Sequence, residues 1–280
     1  MQGKTVVITG STSGIGEVAA QRLAAAGARI VLVARDKARA EATLAKLRGT
    51  APGVAHSVHY GDLSRISEMK RLAAGIALAE PKIDVLVNNA GALFNTRKLT
   101  EDGLEYTFAT NHVAYHVLTL GLLESLRAAG AARVVSTASD AHKGASLDFD
   151  DLQSAKGFSG FKVYGKSKLC NILWTRELAR RWADTGVTVN CLHPGFVATR
   201  FGSESGGFLQ PLVGIAKNFA ISPEKGAETI VYLASSPDVE GVSGGYFYKC
   251  RPAMPTRTAQ DDLSAKRLWD ETAKLTGVGG

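Results

Sequence analysis

The sequence predicts an α/β fold, a doubly wound parallel sheet in one domain. Three observations predict it. Short apolar, β-branched runs alternate with longer stretches rich in Ala, Leu and Glu; no low-complexity linker divides the 280 residues; and a glycine-rich turn follows the first run. The strand-like runs are nearly continuous in apolar character, without alternation, as strands covered on both faces are. They are Val6-Val7-Ile8, Ile30-Val31-Leu32-Val33, Val85-Leu86-Val87, Arg133-Val134-Val135 and Val187-Thr188-Val189.

Helices are expected over 16–26, 37–48, 64–79, 111–128 and 160–183. Right-handed crossovers then wrap both faces of the sheet. Two stretches break the alternation. Residues 143–162 read as a polar insert, and 200–222, with the apolar series Phe201, Phe208, Leu209, Leu212 and Phe219, as a substrate lid or a small satellite core. Trp269 is expected to anchor a terminal helix. Met1-Gln2-Gly3-Lys4 leads straight into the first strand, so no signal peptide or membrane anchor is expected, and the expected location is cytoplasmic.

Composition excludes several classes. Apolar residues at 45% and charged residues at 21% leave no room for a disordered chain. The most apolar stretch, 19–33, is broken by Gln21, Arg22 and Arg29, so no membrane helix is expected. Thirty-three Lys and Arg against 26 Asp and Glu give a net charge of +7. The basic residues are scattered, which argues for a solvated surface and against nucleic acid as a partner. Cys170, Cys191 and Cys250 show neither metal-ligand nor disulfide spacing. His112 and His116 share a helix face but lack a third ligand, so no metal is expected.

The turn after the first strand reads Thr9-Gly10-Ser11-Thr12-Ser13-Gly14-Ile15-Gly16 and opens a helix. Its glycines let the backbone approach a diphosphate, and the helix start offers free N–H groups and a positive dipole end. The second strand ends Ala34-Arg35-Asp36. An acid at Ala34 would suit the 2′-hydroxyl of NAD; Arg35 suits the 2′-phosphate of NADP, and Asp36 reads as the N-cap of the next helix. NADP(H) is therefore favoured over NAD(H).

Tyr164 and Lys168 lie four apart in a helical stretch and share a face. A neighbouring ammonium stabilises phenolate, which suits the tyrosine to general acid–base work; an ordinary amphipathic helix explains the spacing equally well. Asn88-Asn89-Ala90-Gly91, Ser139 and His193-Pro194-Gly195 each follow a strand, where ligand crevices form. His193 reads as a support for its loop.

Taken together these residues resemble the short-chain dehydrogenases/reductases, a family with a Rossmann-type fold, across nearly the whole chain. Ser139-Asp140-Ala141-His142, the segment Leu147-Asp148-Phe149-Asp150-Asp151-Leu152-Gln153 and His193-Pro194-Gly195 resemble its retinol dehydrogenase and WW-domain oxidoreductase branch. The resemblance implies that Tyr164 exchanges a proton with the substrate oxygen, that Ser139 bonds that oxygen, and that Lys168 holds the nicotinamide ribose. It implies a relay water held by Asn111 in line with Lys168. Gly10, Ser11, Thr12, Ser13, Gly14, Ile15 and Gly16 would cradle the diphosphate, with Arg35 beyond them. Asp62 and Leu63 would meet the adenine, and Asn89, Ala90 and Gly91 its ribose. Pro194, Gly195, Val197 and Thr199 would meet the nicotinamide.

The expected function is an NADP-dependent oxidoreductase acting on a small-molecule carbonyl/alcohol pair, a lipophilic and bulky one if the apolar lid covers it. An inactive NADP(H)-sensing protein of the same fold is the alternative. The resemblance leaves a homodimer or homotetramer open, since family members often pair through the helices carrying Asn111 and Tyr164.

Overall fold

Val6, Val7 and Ile8, fully buried, form the centre of β1 (Thr5–Thr9) in the computed structural model, which describes residues 1–196 and 221–280. β1 pairs in parallel with β2 (Arg29–Ala34) on one side and β4 (Val85–Asn88) on the other. The sheet also contains β3 (Ser57–Tyr60), β5 (Arg133–Thr137), β6 (Thr188–Leu192), β7 (Tyr246–Tyr248) and β8 (Arg251–Pro252). The eight strands run β3-β2-β1-β4-β5-β6-β7-β8, with β8 antiparallel to β7. Strand order reverses between β1 and β4, and the connections diverge there, opening a crevice at the strands' carboxyl ends. The predicted doubly wound sheet is the observed one.

Alternate residues of the central strands feed two faces. Val6, Ile8, Ile30 and Leu32 pack with Ala20 and Leu23 of α1 (Gly14–Ala25), Leu44 of α2 (Lys37–Thr50) and Ile230 of α8 (Pro223–Ser235). Val7, Val31 and Leu86 face Leu72 of α3 (Ile66–Ala79), Leu118 of α5 (Ala114–Gly121) and Trp174 of α7 (Gly160–Arg181).

Local differences from the sequence expectations have physical causes. The last predicted parallel strand extends through Leu192 because β6 is paired on both edges, by β5 and β7. The helix expected over 111–128 is broken. It comprises α4 (Tyr106–Phe108), a π-helical turn at Ala109–Val113, α5 and α6 (Leu123–Arg127). The Asn111 side chain, anchored outside the helix by Ala92 and Ser167, sits within the π turn. α3 begins at Ile66, where the Asp102 carboxylate accepts the Ile66 N–H at 2.8 Å.

The insert at 143–162 is irregular up to Gly160, as expected, but pinned. Gln153 Oε1 accepts the Glu105 N–H at 2.6 Å, and Lys166 donates to Ser154 Oγ at 3.2 Å. The lid expected at 200–222 falls outside the described residues except for Ile221 and Ser222.

The terminal helix expected around Trp269 is α9 (Asp262–Thr276). It lies against α7, with Leu268 and Trp269 buried and Asp262 bridging Arg176 at 2.9 Å and Arg180 at 2.5 Å. His116 Nε2–H donates to Val278 O at 2.8 Å. The helices expected to mediate pairing are thus covered on this side by the chain's own terminus.

Candidate active site

The glycine-rich turn is fastened to the end of β4. Asn89 Nδ2 donates to Thr9 O at 3.2 Å and Gly10 O at 3.1 Å, while Thr9 Oγ1 accepts the Asn89 and Ala90 N–H groups. The fit is close: a Cβ on Gly10, whose φ is +64°, would lie 2.7 Å from Ala90 Cα. Ser11 Oγ donates inward to Ile8 O, and Ile15 packs on the core. Ser13 occupies the N-cap of α1 but makes no side-chain capping bond. The first N–H groups of α1 therefore lack that usual partner, and a helix start of this kind suits an anion. Gly14 takes a φ of +57°, and Gly16 lies so close to Gly10 O and Asn89 Nδ2 that a Cβ there would clash with both.

At the end of β2, Arg35 is exposed and Asp36 caps α2 by accepting the Arg39 N–H at 3.0 Å, the role expected for it. The Arg39 guanidinium donates to Thr12 O at 3.3 Å, which places a second cation against the turn. The sequence reading missed Arg39; the signal was its position four residues beyond Arg35. Asp62 accepts the Ser64 N–H at 2.9 Å, and Leu63 packs partly buried beside it. Asn89, expected on the adenine ribose side, directs its amide to the turn.

α7 carries Tyr164 and Lys168 into the same crevice. Tyr164 shares a side-chain hydrogen bond with Ser139. Lys168, 2% exposed, donates from Nζ to Thr137 O at 2.9 Å, with Nζ 5.5 Å from the Tyr164 ring centre. A Cβ on Gly91 would be 3.4 Å from both Lys168 Nζ and Asn111 Oδ1. The four residues expected to be catalytic are therefore brought together.

Two details add to the expectation. Burial pushes the Tyr164 phenol up to about 12, with the Ser139 hydrogen bond pulling the other way, and pushes Lys168 down to about 7. Both groups are removed from water, which disfavours each charged form, and this sets the direction of both shifts. Asn111 directs its side chain to Ala92 N and O, at 2.8 and 2.9 Å, and to Ser167 Oγ at 3.0 Å. That amide holds the Ala92 segment and α7 together.

Beyond β6, His193 Nδ1 accepts the Gly195 N–H at 3.2 Å, and its ring stacks on Tyr248 at 4.0 Å. Burial pushes it down to about 4, in keeping with a loop support. Pro194 and Gly195 close this wall; Val197 and Thr199 lie outside the described residues. His112 and His116 are buried and bonded to Thr272 Oγ1 and Val278 O. Among the described residues no group of three metal-ligating side chains occurs. No described helix is long and apolar enough to cross a membrane.

A parallel sheet with a glycine cradle at its switch point, and a tyrosine, serine and lysine converging beside it, defines a nucleotide-dependent oxidoreductase of the short-chain type. The short chain dehydrogenase family model matches residues 4–207, and the chain belongs to that family. It is 40% identical to human retinol dehydrogenase 14 over 99% of this chain and 88% of that protein. Human retinol dehydrogenase 13 is 37% identical over 99% and 85%. Among solved structures, an uncharacterized protein of Mycobacterium paratuberculosis superposes with a TM-score of 0.80 at 30% identity, covering 99% of this chain and 94% of that one. A variant of actinorhodin polyketide ketoreductase with NADPH gives 0.67 at 25% identity, covering 87% and 94%.

Proposed function

We propose that this protein transfers hydride between NADP(H) and a lipophilic carbonyl/alcohol pair, with Tyr164 giving or taking the proton at the substrate oxygen. The Tyr164–Ser139 hydrogen bond, with Lys168 one turn away, carries this reading. Gly10 to Gly16 and the α1 start hold the diphosphate, and Ala90, Gly91, Pro194 and Gly195 line the path to the reacting end. The bound nicotinamide supplies or accepts the hydride, and the chain supplies orientation and the proton.

Ser139 Oγ accepts the Ala141 N–H at 3.2 Å, which leaves its hydroxyl hydrogen for the Tyr164 oxygen, and a substrate oxygen entering between them would receive it instead. It polarises a substrate carbonyl on the side where Tyr164 stands. With its ammonium shifted to about 7, Lys168 is partly charged near neutral pH and helps the phenol part with its proton. Asn111 keeps the Gly91 segment and α7 in register. Arg35 at the end of β2 and Arg39 against Thr12 favour a 2′-phosphate, hence NADP(H). A lipophilic substrate is favoured by exposed Phe161 and Phe196, on the segments carrying Tyr164 and Gly195, and by the names of the retinol dehydrogenase relatives.

The test is turnover of NADPH with a panel of aldehydes and ketones that includes retinal. Tyr164→Phe is expected to bind NADPH nearly as the parent does while losing turnover by about 10²–10⁴-fold, the range of general acid–base catalysis. Near-normal turnover in that variant would overturn the reading.

A further inference from the structure

The loop after β5 carries a histidine that the proposed reaction leaves unused. His142 ends a 3₁₀ turn, Asp140–His142, of which Ser139 is the N-cap, and it is completely buried. Its Nδ1 lies 2.7 Å from Ser139 O, and its Nε2 3.3 Å from Thr256 N. A carbonyl only accepts and a backbone N–H only donates, so these neighbours fix the tautomer. Nδ1 carries the hydrogen and Nε2 the lone pair.

Ser139 O also receives the His142 backbone N–H at 3.2 Å. The two donors hold the peptide leaving Ser139 in one orientation. That orientation sets where Ser139 Oγ sits, between the Ala141 N–H and Tyr164. On its far side the ring is tied to the segment that follows β8. Ala253 N donates to Tyr246 O at 2.8 Å, anchoring that segment to β7, and the Tyr246 ring meets His142 edge-on at 5.5 Å. The serine is thereby referenced to the distal edge of the sheet as well as to its own strand.

We infer that His142 is a positioning residue for Ser139, a neutral imidazole that fixes the serine carbonyl through one ring nitrogen and braces it on Thr256 through the other. This rests on the reading of Ser139 and Tyr164 as the proton-transfer pair.

Two amide substitutions separate the two ring contacts. An asparagine amide reaches roughly where Nδ1 stood and can still donate to Ser139 O; a glutamine oxygen reaches roughly where Nε2 stood and can accept only from Thr256. His142→Asn is expected to keep most of the parent kcat for carbonyl reduction. His142→Gln and His142→Ala are expected to lose about ten- to a hundredfold in kcat, the scale on which a small misplacement acts, with NADPH affinity unchanged. In a Ser139→Ala background, His142→Gln should cost nothing further, because the group it positions is gone.

Equal kcat in the asparagine and glutamine variants, or a glutamine loss fully additive with Ser139→Ala, would overturn the inference. An independent arm uses the unaltered protein. With ¹⁵N-labelled histidine, the His142 ring is expected to show the Nδ1–H tautomer, and an Nε2–H tautomer would overturn the inference whatever the variants do. Absence of turnover in the parent protein would count against the proposed function, while the tautomer measurement would still decide the placement of His142.

Discussion

Asn89 and Gly16 stand so close across the crevice that any Cβ on Gly16 would fall inside van der Waals contact with Asn89 Nδ2 and with Gly10 O. The same amide donates to both Thr9 O and Gly10 O. One side chain from just beyond β4 thus sets the shape of the turn after β1, and the third glycine of the turn leaves room for it.

Gly16→Ala is therefore expected to destabilise the protein by about 1–3 kcal/mol, the usual cost of forcing a group into a packed site. It should also weaken NADPH binding, because the turn must open. Thermal unfolding and fluorescence titration check both, and an unchanged Tm would contradict the packing argument.

Arg39, in the first turn of α2, donates to Thr12 O and lies four residues beyond Arg35. If both cations face a 2′-phosphate, Arg39→Ala raises the KM for NADPH about tenfold or more, as loss of a charged hydrogen bond does. The KM for NADH should stay nearly constant, and Arg35→Asp should move preference toward NAD(H). Parallel losses for both nucleotides would refute the assignment.

All six histidines sit below the ordinary value of 6.5, with burial the leading cause at each; His112 falls to about 3 and His116 to about 4. The unfolded chain binds protons as pH falls through 6.5, whereas the folded chain resists them. Stability contributed by these groups is present above 6.5 and lost as pH falls toward the folded values. The urea midpoint should accordingly drop between about pH 6.5 and 5, above the range where carboxylates titrate. A flat midpoint across that window would show that the histidines are not held neutral.

Trp269 is 3% exposed, donates from Nε1 to Gly279 O at 2.8 Å and lies under the Arg181 guanidinium at 4.4 Å. Trp269→Ala should cost roughly 3–5 kcal/mol by the cavity it leaves. Cofactor preference should not change, since α9 lies away from the turn. Differential scanning calorimetry beside NADPH and NADH kinetics would show whether the two effects separate.

Much of this protein could be read from residue order alone. Apolar β-branched runs at Val6, Ile30, Val85 and Val134 pointed to strands covered on both faces, because they are too short for buried helices and rich in residues that favour extended backbone. Gly10, Gly14 and Gly16 marked the tight turn into α1, and Tyr164 with Lys168 marked one helix face, since local geometry fixes both patterns. Tertiary structure decided the rest. It directed Asn89 to the turn and Asn111 to Ala92, broke the predicted 111–128 helix at a π turn, and brought Arg39 against Thr12. It also raised the Tyr164 phenol where a neighbouring amine alone would have lowered it. These outcomes depend on burial and on partners far away in sequence, and water exclusion at a site is a property of the packed molecule that no local spacing encodes.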